Sequence, residues 1–379
     1  MKKAVTFLIC TFLLMASGCY AEESVKKDME SRIVSILKSL TLEEKIYQLF
    51  IVEPEAVAGV KTATKATEAT RKGLNKYPVG GIVYFADNIA SEEQIKEMIA
   101  NSQAYAAKKR GIGLFIAVDE EGGTVSRVAG KLNTTRFEPM EVIGARGDAQ
   151  EAYTVGAAIA GDISRLGFNL DFAPVADVII DSANTEIGSR SFGTDPAQVS
   201  VMVGQVVKGL QDNGVMATLK HFPGHGSTTA NSHEGESIST RTLTQMEQAE
   251  FLPFQEGMEA GAEFVMISHL TAVEIDKESP ASLSKTIITD ILRDKLGFEG
   301  LVITDSLQMK AVANLNSSGE TAVRALEAGA DVLMMPVNLS DAARGIRKAV
   351  DSGRLTEERI DESVQRILNI KWEYGLIEP

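Results

Sequence analysis

Beyond a polar start, the chain alternates short apolar runs with polar turns and with longer stretches in which apolar residues return every three or four positions. Eight of the short runs predict strands, over residues 47–52, 79–85, 114–118, 169–174, 215–219, 264–267, 301–304 and 332–335. They are continuous rather than alternating, the pattern of parallel strands buried on both faces. The stretches between them carry helix end signals. Asp195 and Pro196 open a series of Val199, Met202, Val203, Val206 and Leu210 that stops at Gly214. Ser284 precedes Ile287, Ile288, Ile291, Leu292 and Leu296 and a terminating Gly297, while Thr356 opens a last helix with Ile360, Val364, Ile367 and Leu368 on one face. Eight strand–helix units, with no Pro/Gly/Ser-rich linker and no repeat at solenoid spacing, predict an α/β fold, a single (β/α)8 TIM-like barrel; an open doubly wound sheet is the alternative.

Length alone would allow two or three domains in 379 residues, but a barrel fills most of that length by itself. With 44% apolar and 24% charged residues, the chain can build a sizeable core. Its net charge of -14 repels phosphate backbones and argues against nucleic acid as a partner. The start reads as an export signal: Lys2 and Lys3, an apolar run from Ala4 to Ala16 too short to span a bilayer, then Ala16-Ser17-Gly18-Cys19. Small residues directly before a cysteine resemble a bacterial lipobox, which makes Cys19 the expected lipidated N-terminus; ordinary cleavage after Ala21 is the alternative. The expected organisation is a signal peptide over 1–19, a tether and helix over 20–40 and a catalytic barrel over 41–379. Both cysteines, Cys10 and Cys19, lie in the leader, so the mature chain has no disulfide, thiolate metal site or cysteine nucleophile. The expected place is a bacterial membrane, held by lipid alone, facing periplasm or cell surface; without an aspartate after Cys19, the outer membrane is expected in a two-membrane cell.

Barrel chemistry sits at the carboxyl ends of the strands. There the third run is followed by Asp119-Glu120-Glu121-Gly122-Gly123 with Arg127 nearby, the fifth by Lys220-His221, the sixth by Ser268-His269 and the seventh by Asp305-Ser306. Each alone reads equally well as a solvated turn or a helix cap; their coincidence on one rim points to a site. His221, His225 and His233 also share one Gly-rich loop, and long loops after barrel strands usually carry function.

The run Lys220-His221-Phe222-Pro223-Gly224-His225-Gly226, followed by Asn231-Ser232-His233, resembles the signature loop of family 3 glycoside hydrolases, in the single-barrel branch of bacterial β-N-acetylglucosaminidases (β-hexosaminidases). Further matches follow in the family's order: Leu42-Glu43-Glu44-Lys45 before Gln48-Leu49-Phe50, Gly80-Gly81-Ile82 before Phe85, Asp119 to Arg127, Ile187 to Gly193, and Ile303-Thr304-Asp305-Ser306-Leu307 with Met309. The resemblance spans residues 40 to 375 and implies the same barrel. It also implies a retaining exo-hydrolase that removes terminal non-reducing β-linked N-acetylglucosamine from peptidoglycan fragments or chitin oligomers.

Breaking a β-glycosidic bond passes through an oxocarbenium-like state, which calls for a carboxylate beneath the anomeric carbon and a proton donor at the leaving oxygen. By the resemblance Asp305 is the nucleophile and His233 the acid/base, a residue that titrates near neutrality. Asp119, Arg127, Arg190, Lys220 and His221 match positions that hydrogen-bond the terminal sugar; Arg190 as an internal ion-pair partner is the alternative. Met309 and His269 are expected in the pocket wall, and His225 as a brace of the loop. The branch usually reads Asp-Ser-His where this chain has Asn231-Ser232-His233, so the usual charged partner of the histidine is missing. Glu234 and Glu236 are the nearby carboxylates that could replace it. A β-glucosidase or β-xylosidase, a glycoside phosphorylase and a weakened family member are the alternatives. No cofactor or metal is expected, and no partner beyond an oligosaccharide or muropeptide substrate; the expected state is a monomer. A solute-binding lipoprotein would show two lobes and no loop with a matched nucleophile; a metallohydrolase would carry a His-x-His on the first strand or a His-Glu-x-x-His, and the sequence has neither motif.

Overall fold

The computed structural model describes residues 29–228 and 235–377, which fall in two compact units, 1–41 and 42–379. The described part of the first carries one helix over residues 29–39. The second holds eight short parallel strands: β1 Phe50–Val52, β2 Gly81–Val83, β3 Phe115–Val118, β4 Leu170–Asp171, β5 Thr218–Phe222, β6 Phe264–Ile267, β7 Leu301–Thr304 and β8 Leu333–Met334. Five of them form one sheet in the order β8-β1-β2-β3-β4 and three a second in the order β5-β6-β7. Parallel bridges join the two on both sides, Leu170 with Met216 and Ile303 with Val332, so the strands form a closed ring. All eight predicted runs are represented, and the barrel is the fold expected from them.

Closure explains why the runs are continuous. Phe50, Ile82, Ile116, Leu219, Val265 and Val302 are wholly buried, because one side of each strand faces the barrel interior and the other the helical layer. Most strands are shorter than their predicted runs, as in β2 and β4, and two boundaries shift in kind. Tyr47 and Gln48 end the helix Leu42–Gln48 rather than starting β1, and β5 runs to Phe222, three residues past the expected end. Both segments are buried but carry polar residues, Gln48 in one and Lys220 and His221 in the other, so an unbroken apolar run marks neither boundary.

The helices begin where expected. Asp195 caps Pro196–Gln211 through the Ala197 N–H, and the Thr356 hydroxyl caps Glu357–Glu373 through the Arg359 N–H (3.1 Å). The segment after Ser284 is helical but π-wound, over Thr286–Lys295. Lys371, in the last helix, is buried at the amino end of the barrel: its Nζ donates to Gln48 Oε1 (2.9 Å) and lies 5.0 Å from the centre of the Phe115 ring. No described helix is long and apolar enough to cross a membrane.

Candidate active site

The carboxyl ends of the strands surround a cavity of about 660 Å³, whose wall includes Phe85, Asp119, Glu121, Arg127, Arg190, Lys220, His221, Asp305 and Met309. Asp119, Arg127, Arg190, Lys220, His221, Asp305 and Met309, the described residues expected as nucleophile or in sugar binding, therefore share one hollow. Asn231 and His233, with Glu234, lie outside the described residues, as does Cys19. Glu236 is exposed and is not part of the wall.

The ionic frame of the cavity is buried. Lys220 Nζ meets Asp119 Oδ1 at 2.8 Å and Glu121 Oε1 at 2.6 Å, and Arg190 grips Glu121 with two parallel bonds of 2.8 and 2.7 Å. Burial alone would raise the Glu121 carboxyl, but Lys220 and Arg190 outweigh it and hold it down at about 2. Asp119 and Glu121 overcome the burial of Lys220 and raise its ammonium. Arg190 is thus both a wall residue and an internal ion-pair partner.

His221 is oriented from behind. Asp177, wholly buried, accepts from its Nδ1 (2.7 Å) and its backbone N–H (3.2 Å), and also from the backbone N–H of His225 (2.7 Å). A carboxylate only accepts, so Nδ1 carries the proton and Nε2 is left toward the cavity, 3.5 Å from Arg190 Nη2. Burial works to raise the Asp177 carboxyl, and the two histidines prevail and lower it. Close approach is needed here: a Cβ on Gly226 would collide with the Val178 carbonyl, which explains a glycine after His225. His225 braces the loop as expected, its Nδ1 2.8 Å from Thr228 Oγ1 and its backbone carbonyl accepting from Asn184.

Asp305 follows β7 directly. Its Oδ1 accepts the N–H of Ser306 (2.6 Å), and the next helical turn begins only at Lys310, which removes the helix-cap reading. His269 is not a wall residue. It is buried beneath Ser306, donating from Nε2 to that residue's carbonyl (2.9 Å) and accepting at Nδ1 from Ser282 (2.7 Å), so it supports the turn that presents Asp305. The sequence analysis assigned no role to Glu121 or Asp177, and none to Met266, Met334 and Met335, which also line the wall. Met335 adopts a left-handed backbone (φ 49°), an uncommon conformation that places strain at the cavity edge.

A closed parallel barrel with this ionic frame at its carboxyl face invites comparison with known proteins. The sequence profile described as "Glycosyl hydrolase family 3 N terminal domain" matches residues 41–370. The chain belongs to glycosyl hydrolase family 3. It is 37% identical over 275 residues to a β-hexosaminidase of Chromobacterium violaceum, covering 71% of this chain and 75% of that one. It is 31% identical to β-hexosaminidase LpqI of Mycobacterium tuberculosis over 88% of this chain and 83% of the relative. Among solved structures, a family 3 β-N-acetylglucosaminidase from Paenibacillus sp. superimposes with a TM-score of 0.84 at 35% identity. That match covers 89% of this chain but 63% of the Paenibacillus chain, so the likeness concerns the barrel portion of a longer protein. The family-derived roles given above fall on a shared cavity wherever the residues are described.

Proposed function

We propose that this chain is a retaining exo-β-N-acetylglucosaminidase that releases terminal, non-reducing β-linked N-acetylglucosamine from peptidoglycan fragments or chitin oligomers. The observation that carries the reading is Asp305, a carboxylate delivered by the end of a barrel strand into the cavity that holds the Asp119–Lys220–Glu121–Arg190 network. The relatives, two β-hexosaminidases and a β-N-acetylglucosaminidase, support the choice of sugar.

In this reading Asp305 attacks the anomeric carbon while His233 gives its proton to the leaving oxygen, forming a glycosyl-enzyme. Water then attacks with His233 as base, and the product leaves as the β-anomer. Asp119 accepts from the sugar hydroxyls while Lys220, Arg190 and Arg127 donate to them; His221 presents Nε2, its tautomer fixed by Asp177. Asn231 gives His233 no charged partner, which favours good leaving groups over natural disaccharides. The protein acts as a lipid-anchored monomer, tethered through Cys19 outside the cytoplasm.

A panel of nitrophenyl β-glycosides, with and without inorganic phosphate, tests the reading. Fastest turnover of the N-acetylglucosaminide, independent of phosphate, is expected. Preference for glucoside or xyloside, or phosphate-dependent release of a sugar phosphate, overturns it.

A further inference from the structure

Glu120 stands between Asp119 and Glu121 yet faces away from the cavity. It is 4% exposed, and its two oxygens accept the backbone N–H groups of Val128 (2.6 Å) and Ala129 (3.0 Å), the residues that follow Arg127. Its own N–H donates to Asp171 Oδ1 on β4 (2.9 Å). Arg127 reaches the cavity from this turn, its guanidinium 6.0 Å from the Phe85 ring, and its buried Nε has no hydrogen-bond partner among the described residues. Where Arg190 is clamped through its side chain by Glu121, Arg127 is located through its backbone, by the Arg127 N–H to Asp119 carbonyl bond (3.2 Å) and by Glu120.

We propose that Glu120 is the positioning residue of Arg127: by gripping the two peptide N–H groups beyond it, the carboxylate sets where the guanidinium meets the sugar, and a proton on Glu120 releases that grip. The assignment rests on the hydrolase reading above.

The chemistry requires an ionised carboxylate. It is the side chain that offers two oxygens to two N–H groups without carrying a donor of its own; a carboxylic acid or an amide turns one of those oxygens into a donor facing a donor. Burial, only partly offset by the backbone donors and Arg127, pushes the Glu120 carboxyl up to about 7, so the grip changes within an ordinary pH range. The titratable groups facing it are Arg127 from its own turn and Asp171 from β4. Burial, aided by Glu120, raises the Asp171 carboxyl well above its ordinary value. The helix behind, Ala149–Ser164, turns Ile159 toward Gly122, while its Asp162 points outward to the Thr135 N–H and Arg165.

The test measures KM and kcat on nitrophenyl N-acetylglucosaminide from pH 5 to 9 for the wild type, Glu120→Gln and Arg127→Ala. At pH 8, Glu120→Gln is expected to raise KM about tenfold with kcat within about threefold. Wild-type KM is expected to climb as pH falls through about 7 until it meets that of the variant. Arg127→Ala, which keeps Glu120, is expected to abolish this pH dependence and carries the test if Glu120→Gln does not fold. An equal KM ratio at every pH, or an effect on kcat alone, overturns the proposal. If the wild type hydrolyses none of the glycosides, the hydrolase reading fails separately. The grip is then read by amide hydrogen exchange at Val128 and Ala129: faster exchange in Glu120→Gln than in wild type at pH 8 supports it, and equal exchange overturns it.

Discussion

Replacing Lys371 with methionine makes the protein more stable at neutral pH and less stable at high pH. The lysine is wholly buried, its described side-chain neighbours are the neutral Gln48, which accepts its hydrogen bond, and the Phe115 ring, and burial lowers its ammonium from an ordinary 10.5 to about 7. Between those values the unfolded chain holds a proton that the folded chain does not, so the folded state is penalised progressively as pH falls from 10.5 to 7 and by a constant amount below. At about 1.4 kcal/mol per pH unit the full penalty is about 5 kcal/mol. Methionine removes it with similar volume, while leaving Gln48 Oε1 without its donor at a cost of about 1–2 kcal/mol. Lys371→Met should therefore gain about 3 kcal/mol at pH 7, match wild type near pH 9 and fall about 1–2 kcal/mol below it at pH 10.5. Urea midpoints of both proteins from pH 6 to 10.5 measure this, and other titrating groups cancel in the difference. Activity should not change, because Lys371 lies at the opposite end of the barrel from the cavity. A difference that is flat with pH, or a variant weaker at pH 7, refutes the reasoning.

Asp305→Asn should lower turnover by several powers of ten with little change in ligand affinity, and proton NMR should show the β-anomer as first wild-type product; the α-anomer would contradict the retaining reading. Asn231→Asp should raise turnover of disaccharides selectively and move its optimum toward neutrality, because a charged partner raises the imidazolium pKa; equal change on disaccharide and nitrophenyl substrates removes Asn231 from the proton-transfer pair. Cys19→Ala should release the protein from membrane fractions, and recovery of wild type as a soluble form beginning at Glu22 would point to cleavage after Ala21 instead.

The barrel was legible because strands such as Ile303 and its neighbours are buried on both sides and so read as unbroken apolar runs. The wall residues were legible because they follow those strands directly or stand in motif spacing. Glu121 and Asp177 were not assigned, for a physical reason: each is a buried carboxylate whose role is set by partners distant in sequence. Glu121 meets Arg190 and Lys220, and Asp177 meets the loop at 221–225; nothing local marks that convergence. His269 was misplaced for the complementary reason. It lies two residues past a predicted run, as His221 does, but its ring turns under the rim to hold a carbonyl.

The clamped state of Arg190 and Lys220 has a consequence for selectivity. Of the five N–H donors of Arg190, two are held by Glu121, one by the Glu186 carbonyl, and one faces His221 Nε2 at 3.5 Å; of the three on Lys220, Asp119 and Glu121 take two. The few donors that remain point in fixed directions before any sugar arrives. A ligand that places its hydroxyls along those directions orders no protein side chain on binding, whereas an epimer with one hydroxyl inverted leaves a donor unmet that has no freedom to follow it. The site is thus rigid toward stereochemistry at the ring while its methionine-lined edge is built from the most adaptable apolar side chains, so tolerance should lie in the leaving group and strictness in the sugar released.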